Sequence, residues 1–91
     1  MEFEWNLQKA EINFKKHGIT FEEATTVFGD YLSLTYPDAL HSIQEERFII
    51  IGVSDKNRIL IISHTQLGET IRLISARQAT KQERDFYESR K

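Results

Sequence analysis

From Leu7 to His17 the apolar residues recur at helical spacing, with Leu7, Ala10 and Phe14 forming one stripe. Asn6 stands where an N-cap accepts a backbone N–H, and Gly18 where helices leave in a left-handed conformation. Thr20-Phe21-Glu22-Glu23 has capping-box spacing and predicts a second helix, with Phe21, Ala24, Val27 and Phe28 inward and Gly29 ending it. Tyr31 to Tyr36 alternates with a period of two and reads as a strand. Pro37-Asp38 then turns the chain into HSIQEE, a polar stretch without a period. FIIIGVS is apolar at consecutive positions, so both faces of that strand need cover. Asp55-Lys56-Asn57 reads as a tight turn, Ile59–His64 as a strand, TQLGE as a turn, and Thr70–Ala76 as the last strand. A second capping-box spacing, Thr80 to Glu83, starts a terminal helix carrying Phe86 inward, and FEW makes a short opening strand.

That order is β, α, α, a four-strand meander, then α. It predicts an α+β class: two N-terminal helices and a C-terminal helix packed with a mainly antiparallel sheet of four to five strands, the helices on one face. The 91 residues suit one domain, 1–91, and no repeat or linker divides them. No cysteine is present, which excludes disulfides and thiolate zinc sites and fits a reducing cytoplasm. FIIIGV is too short to span a membrane, and MEFEWN lacks the basic start of a signal peptide.

A net charge of −2 gives no general case for nucleic-acid binding, but the charges are unevenly spread. Residues 1–55 carry four cations against ten acids; residues 56–91 carry eight against four. A basic C-terminal part on an acidic body makes either a local anion site or a solvated helix face.

Three stretches resemble one family. FEWNLQKAEINFKKHGITFEEA is similar to the opening of BrnT-type toxins, where F-x-W-[DN]-x-x-K-A-x-x-N-x-x-K-H-G-[IV]-x-F-E-E-A recurs. HSIQEERFIIIGVS resembles that family's middle segment and IRLISARQATKQERDFYE its closing segment. The resemblance implies a RelE-like fold, ribonuclease toxicity and neutralisation by a BrnA antitoxin. That partner would be a ribbon-helix-helix protein, with promoter DNA contacted only through it.

Metal-independent RNA cleavage needs a group to take the 2′-hydroxyl proton, one to protonate the leaving 5′-oxygen, and cations for the phosphorane. Arg77, at the end of the last strand, suits the phosphate because its planar fork stays charged. Arg84 in the last helix and Lys16 at the K-H-G match join it as expected catalytic cations, and Arg72 and Lys81 as RNA contacts. Each has an ordinary alternative, as an ion pair or a solvated helical cation. Tyr87 follows Glu83 by four residues, where it packs in the core or stacks on a base. Glu83 belongs to the cap and is not the base. His64 is the expected proton-transfer group, because histidine titrates near neutral pH. BrnT-type sequences often have arginine there, which leaves acid–base and electrostatic roles open. If TQLGE closes a regular hairpin, His64 lies near Thr70 and Arg77 roughly 20 Å along the strand, both lining one groove. A register slip of one residue would send Arg72 to the face opposite His64. His17, His41 and His64 lack metal-ligand spacing, and neither metal nor cofactor is expected. A second reading, from another class, is a non-catalytic binding module of the same fold that acts only through its antitoxin-like partner. An unfavourable His64-for-Arg replacement would support it.

Overall fold

The computed structural model describes residues 1–90; Lys91, one of the C-terminal cations, lies outside the described residues. Five strands form one sheet: β1 (Glu2–Glu4), β2 (Leu34–Pro37), β3 (Arg47–Val53), β4 (Ile59–Leu67) and β5 (Thr70–Gln78). Three helices accompany them: α1 (Leu7–His17), α2 (Phe21–Thr26) and α3 (Lys81–Glu88). The strand order is β1-β5-β4-β3-β2, antiparallel except that β1 runs parallel to β5. The chain is therefore α+β with a mainly antiparallel sheet, as its sequence predicts.

Local chemistry sets the helix ends. Asn6 Oδ1 accepts from the Lys9 amide at 3.0 Å, and Gly18, at φ 73°, donates to the Phe14 carbonyl at 2.8 Å. The inward stripe of α1 differs from the expected one, since Leu7 is 81% exposed and Phe14 52%. Ala10 packs on the core instead, and Asn13 beside it is buried. The spacing permits this second phase, because Ala10 belongs to both stripes. Asn13 is accommodated because its amide donates to the Ile19 and Ala76 carbonyls and accepts from the Ala76 amide.

At α2, Thr20 Oγ1 accepts from the Glu23 amide at 3.0 Å, yet the Glu23 carboxylate does not return to close a capping box. It turns inward to Ser54 Oγ at 2.7 Å and to the Arg58 guanidinium, whose Nε lies at 2.9 Å. A 3-10 turn, Val27–Gly29, continues the helix. The strand expected from Tyr31 begins only at Leu34. Asp30 accepts from the Leu32 amide through Oδ1 and from the Ser33 amide through its carbonyl, which holds that stretch as a turn.

The helices are divided between the faces of the sheet, which corrects the one-face expectation. Ile50, Leu60, Ile62, Ile71, Leu73 and Ala76 pack under α1 and α2, whereas Ile51, Ile61 and Ala79 pack with Tyr87 of α3. The consecutive apolar residues of β3 and β4 require this, because alternate side chains leave both faces unsolvated. Tyr87 is the inward residue of α3 at 1% exposure, and Phe86, expected inward, is 49% exposed.

The β4–β5 hairpin is longer than the sequence suggests. Leu67 pairs with Thr70 across Gly68 and Glu69, with Gly68 at φ 61°, so Thr65 to Leu67 belong to the strand. His64 consequently faces Leu73 rather than Thr70. Beyond it the register shifts, because Ser63 pairs with Ser75 and leaves Ile74 as the extra residue of a β-bulge.

Candidate functional site

Regular alternation would put Arg72 and Arg77, five residues apart, on opposite faces of β5. The bulge at Ile74 removes that difference. Arg72 pairs with Thr65 and Arg77 with Ile61, both of which point to the α3 side of the sheet. Across Thr65 stands Arg47, the first residue of β3. Three arginines from two strands thus share this face, Arg77 at the margin of α3 and Arg47 and Arg72 farther along the strands.

Each is held differently. The Arg77 fork meets Glu83 at both ends, Nη1 to Oε1 at 2.8 Å and Nη2 to Oε2 at 3.0 Å. Glu83 also accepts from the Thr80 amide at 2.8 Å, closing the capping box of α3. These bonds, led by those from Arg77, lower the Glu83 carboxyl to about 2, and the same carboxylate raises the Arg77 pKa. Arg72 pairs with Glu4 of β1 at 3.0 Å. The Arg47 Nε is buried, has no hydrogen bond, and lies 3.7 Å from Glu45.

Above them, a loop built on Asp38, Ser42 and Arg47 folds over the sheet end. The Asp38 amide donates to the Arg47 carbonyl at 2.8 Å, the Arg47 amide to Ser42 Oγ at 2.9 Å, and that hydroxyl to the Asp38 carbonyl at 2.6 Å. The clamp places His41 beside the arginines. His41, Asp38, Arg47, Ser63, Ser75 and Arg77 line a cleft of about 320 Å³. A neighbouring cleft of about 360 Å³ joins Arg47 to Arg72 and Lys9. Chemically, the arrangement offers fixed cations for an extended polyanion and one imidazole at its edge.

A family model described as "Ribonuclease toxin, BrnT, of type II toxin-antitoxin system" matches residues 5–83. The chain belongs to the BrnT family. Its fold is also that of a solved member. The crystal structure of the Brucella abortus ribonuclease toxin BrnT gives a TM-score of 0.70, covering 89% of this chain and 99% of that one, at 23% identity. No curated protein matches this chain.

Within the BrnT fold, the other residues expected at the site are dispersed. His64 does not share a groove with Arg77, because it points to the α1–α2 side, opposite both arginines. There it is 4% exposed, in an edge contact with Phe28 and a stacked one with Phe48. Its Nδ1 is buried without a hydrogen bond, and burial lowers its pKa. Lys16 is exposed at the end of α1, on that same far side. Lys81 pairs with Asp85 on the surface of α3 at 2.9 Å, and Arg84 donates to the Ala79 carbonyl at 3.2 Å. Neither lines the cleft with Arg77. Tyr87 cannot stack on a base, since it is enclosed in the core with its hydroxyl donating to Asp30. Burial and that carboxylate raise its pKa to about 12.

Sequence reasoning missed Arg47 and His41. Arg47 had a signal, because alternation from Ile51 through Ile49 puts it on the α3 face. HSIQEE had no period, so nothing in it marked His41. Among the described residues, no three His, Asp or Glu side chains gather to hold a metal, and no helix is long and apolar enough to cross a membrane.

Proposed function

We propose that this chain is an endoribonuclease toxin that cleaves RNA on the open face of its sheet without a metal ion. The observation that carries this is the bulge-dependent alignment of Arg72 and Arg77 with Arg47, in a chain of the BrnT family. RNA lies along the arginines, with the scissile phosphate at Arg77. The Arg77 Nη1 is taken up by Glu83 and the Gln78 carbonyl, which leaves Nε and the second Nη2 proton to meet a phosphorane while Glu83 fixes the guanidinium plane. Arg47 and Arg72 bind flanking phosphates. The 2′-hydroxyl attacks phosphorus, the bond to the 5′-oxygen breaks, and a 2′,3′-cyclic phosphate results. The guanidinium groups, each held by a carboxylate partner, supply oriented donors for the charge that develops on the phosphorane. The activity belongs in the cytoplasm, where it halts translation and growth.

A BrnA-type antitoxin with a ribbon-helix-helix part is the proposed partner. Promoter DNA is then held through that part, since this chain carries a net charge of −2. An acidic or amphipathic antitoxin segment would cover the open face and compete with Glu4, Glu45 and Glu83 for its arginines. The non-catalytic reading required His64 to stand where an arginine would face the substrate. A histidine enclosed by Phe28 and Phe48 offers no such support.

The test is incubation of purified protein with bulk RNA in excess chelator. Cleavage to cyclic-phosphate ends is expected. Intact RNA, with cleavage restored by added metal, overturns the metal-free mechanism.

A further inference from the structure

Among the three histidines, only one lines a cleft with the arginines. His64 is enclosed on the far face, and His17 ends α1 on that same side. His41, by contrast, is 64% exposed at its side chain and lines the cleft containing Arg47 and Arg77. Its Nδ1 lies 2.8 Å from Asp38 Oδ2, and Asp38 is itself only 13% exposed at its side chain. An ionised carboxylate only accepts hydrogen bonds, so the proton of the neutral ring belongs on Nδ1 and the lone pair on Nε2. The partner thus fixes the tautomer and the orientation of the ring. The clamp of Asp38, Ser42 and Arg47 couples this pair to the first residue of β3, which faces the same cleft.

We infer that the Asp38–His41 pair is the general base of RNA cleavage on this face, with His41 touching the substrate and Asp38 positioning it. The inference rests on the ribonuclease reading above. In the step, His41 Nε2 takes the 2′-hydroxyl proton as the 2′-oxygen bonds to phosphorus. Arg77 and Arg47 offset the charge on the non-bridging oxygens. The bond from phosphorus to the 5′-oxygen then breaks, its electron pair leaves with that oxygen, and solvent supplies the proton that completes the 5′-hydroxyl. No oxidant, metal or co-substrate is needed.

The experiment compares wild type, His41→Ala, His41→Gln and Asp38→Asn on RNA in chelator, with circular dichroism as the check on folding. Both His41 variants should keep the fold, because the side chain is mostly outside the core, and should cleave about 10²–10⁴-fold more slowly. Imidazole added to His41→Ala should restore cleavage in proportion to its concentration. Asp38→Asn should retain more activity than His41→Ala. On RNA with sulfur at the bridging 5′ position, whose thiolate departs unprotonated, the His41→Ala defect should persist. Undiminished cleavage by His41→Ala or His41→Gln overturns the inference. Loss that imidazole does not relieve overturns it too, since His41 then acts only on structure. Recovery on the sulfur substrate reassigns His41 to protonating the leaving group and overturns its role as base. A wild type that leaves RNA intact overturns the ribonuclease reading itself, an outcome distinct from the other three.

Discussion

The two faces of this sheet bury their side chains to different extents and hold their ionisable groups in opposite ways. Under α1 and α2 the apolar surface is continuous, and the polar groups admitted there, Asn13, Glu23 and His64, are enclosed. Asn13 and Glu23 are hydrogen-bonded there, and burial lowers the His64 pKa. On the other face α3 covers only the end near Ile51 and Ile61. Arg77 stands at the margin of that helix and Arg47 and Arg72 farther along, all charged and all partly solvated. Each of the three has a carboxylate partner, Glu45 for Arg47, Glu4 for Arg72 and Glu83 for Arg77. A pair left beside water nevertheless costs little to separate and can yield to a polyanion, whereas a charge enclosed beneath a helix must stay matched internally. The closed face therefore holds the fold, and the half-open face can hold a substrate.

The sharpest break in that comparison should come from Arg77→Ala. Cleavage should fall about 10²–10³-fold, the usual cost of one transition-state donor. The fold should persist, because Glu83 still closes the α3 box with Thr80. Cleavage kinetics alongside circular dichroism measure both, and an active, folded variant would move the site elsewhere.

Next in size is Glu23→Ala on the closed face. It removes the acceptor of Ser54 and Arg58, and unfolding stability should drop by about 1.5–3 kcal/mol, the range for hydrogen bonds to a charged group. The loss is held below that of a fully buried pair because Arg58 is 31% exposed at its side chain and can rehydrate. The Arg58 bonds lower the Glu23 pKa, so the stabilisation is complete above the ordinary carboxyl value of 4.5 and is lost as pH falls through the folded value. Urea unfolding at neutral and acid pH should show the variant less acid-sensitive than wild type.

The smallest effect should be His64→Phe, which leaves cleavage unchanged because the ring never meets the open face. Stability should respond only to acid. Burial lowers the folded His64 pKa, so below 6.5 the unfolded chain gains a proton that the folded one resists, and stability declines until the folded value is passed. Phenylalanine removes that decline. Lost cleavage in a folded His64→Phe protein would show that the two faces are coupled.

Much of the fold was legible because its signals are short-range. Asn6 and Gly18 bound α1, Thr20 starts α2, and Thr80 with Glu83 closes the box of α3, each through contacts within a few residues. The apolar run of β3 likewise announced a strand covered on both sides. The site was less legible. Arg77 was singled out and Arg47 passed over, although they line one cleft, because Arg47 adjoins a stretch with no period. His64 looked attractive as a histidine on a strand, and its face depended on pairing partners far along the chain.

Composition and spacing were sufficient for the class of fold, the helix ends and a cation-rich C-terminal part, since caps and periodicity act over one or two turns. Three matters required the folded chain: which phase of α1 turned inward, which face received α3, and which arginines met. Asn13 could be buried only once β5 presented both backbone groups of Ala76 to it. Tyr87 became the core residue of α3 because Ile51 and Ile61 were waiting on the second face. The single extra residue at Ile74 brought Arg72 and Arg77 together, reversing an alternation that local pattern alone would carry unbroken through β5.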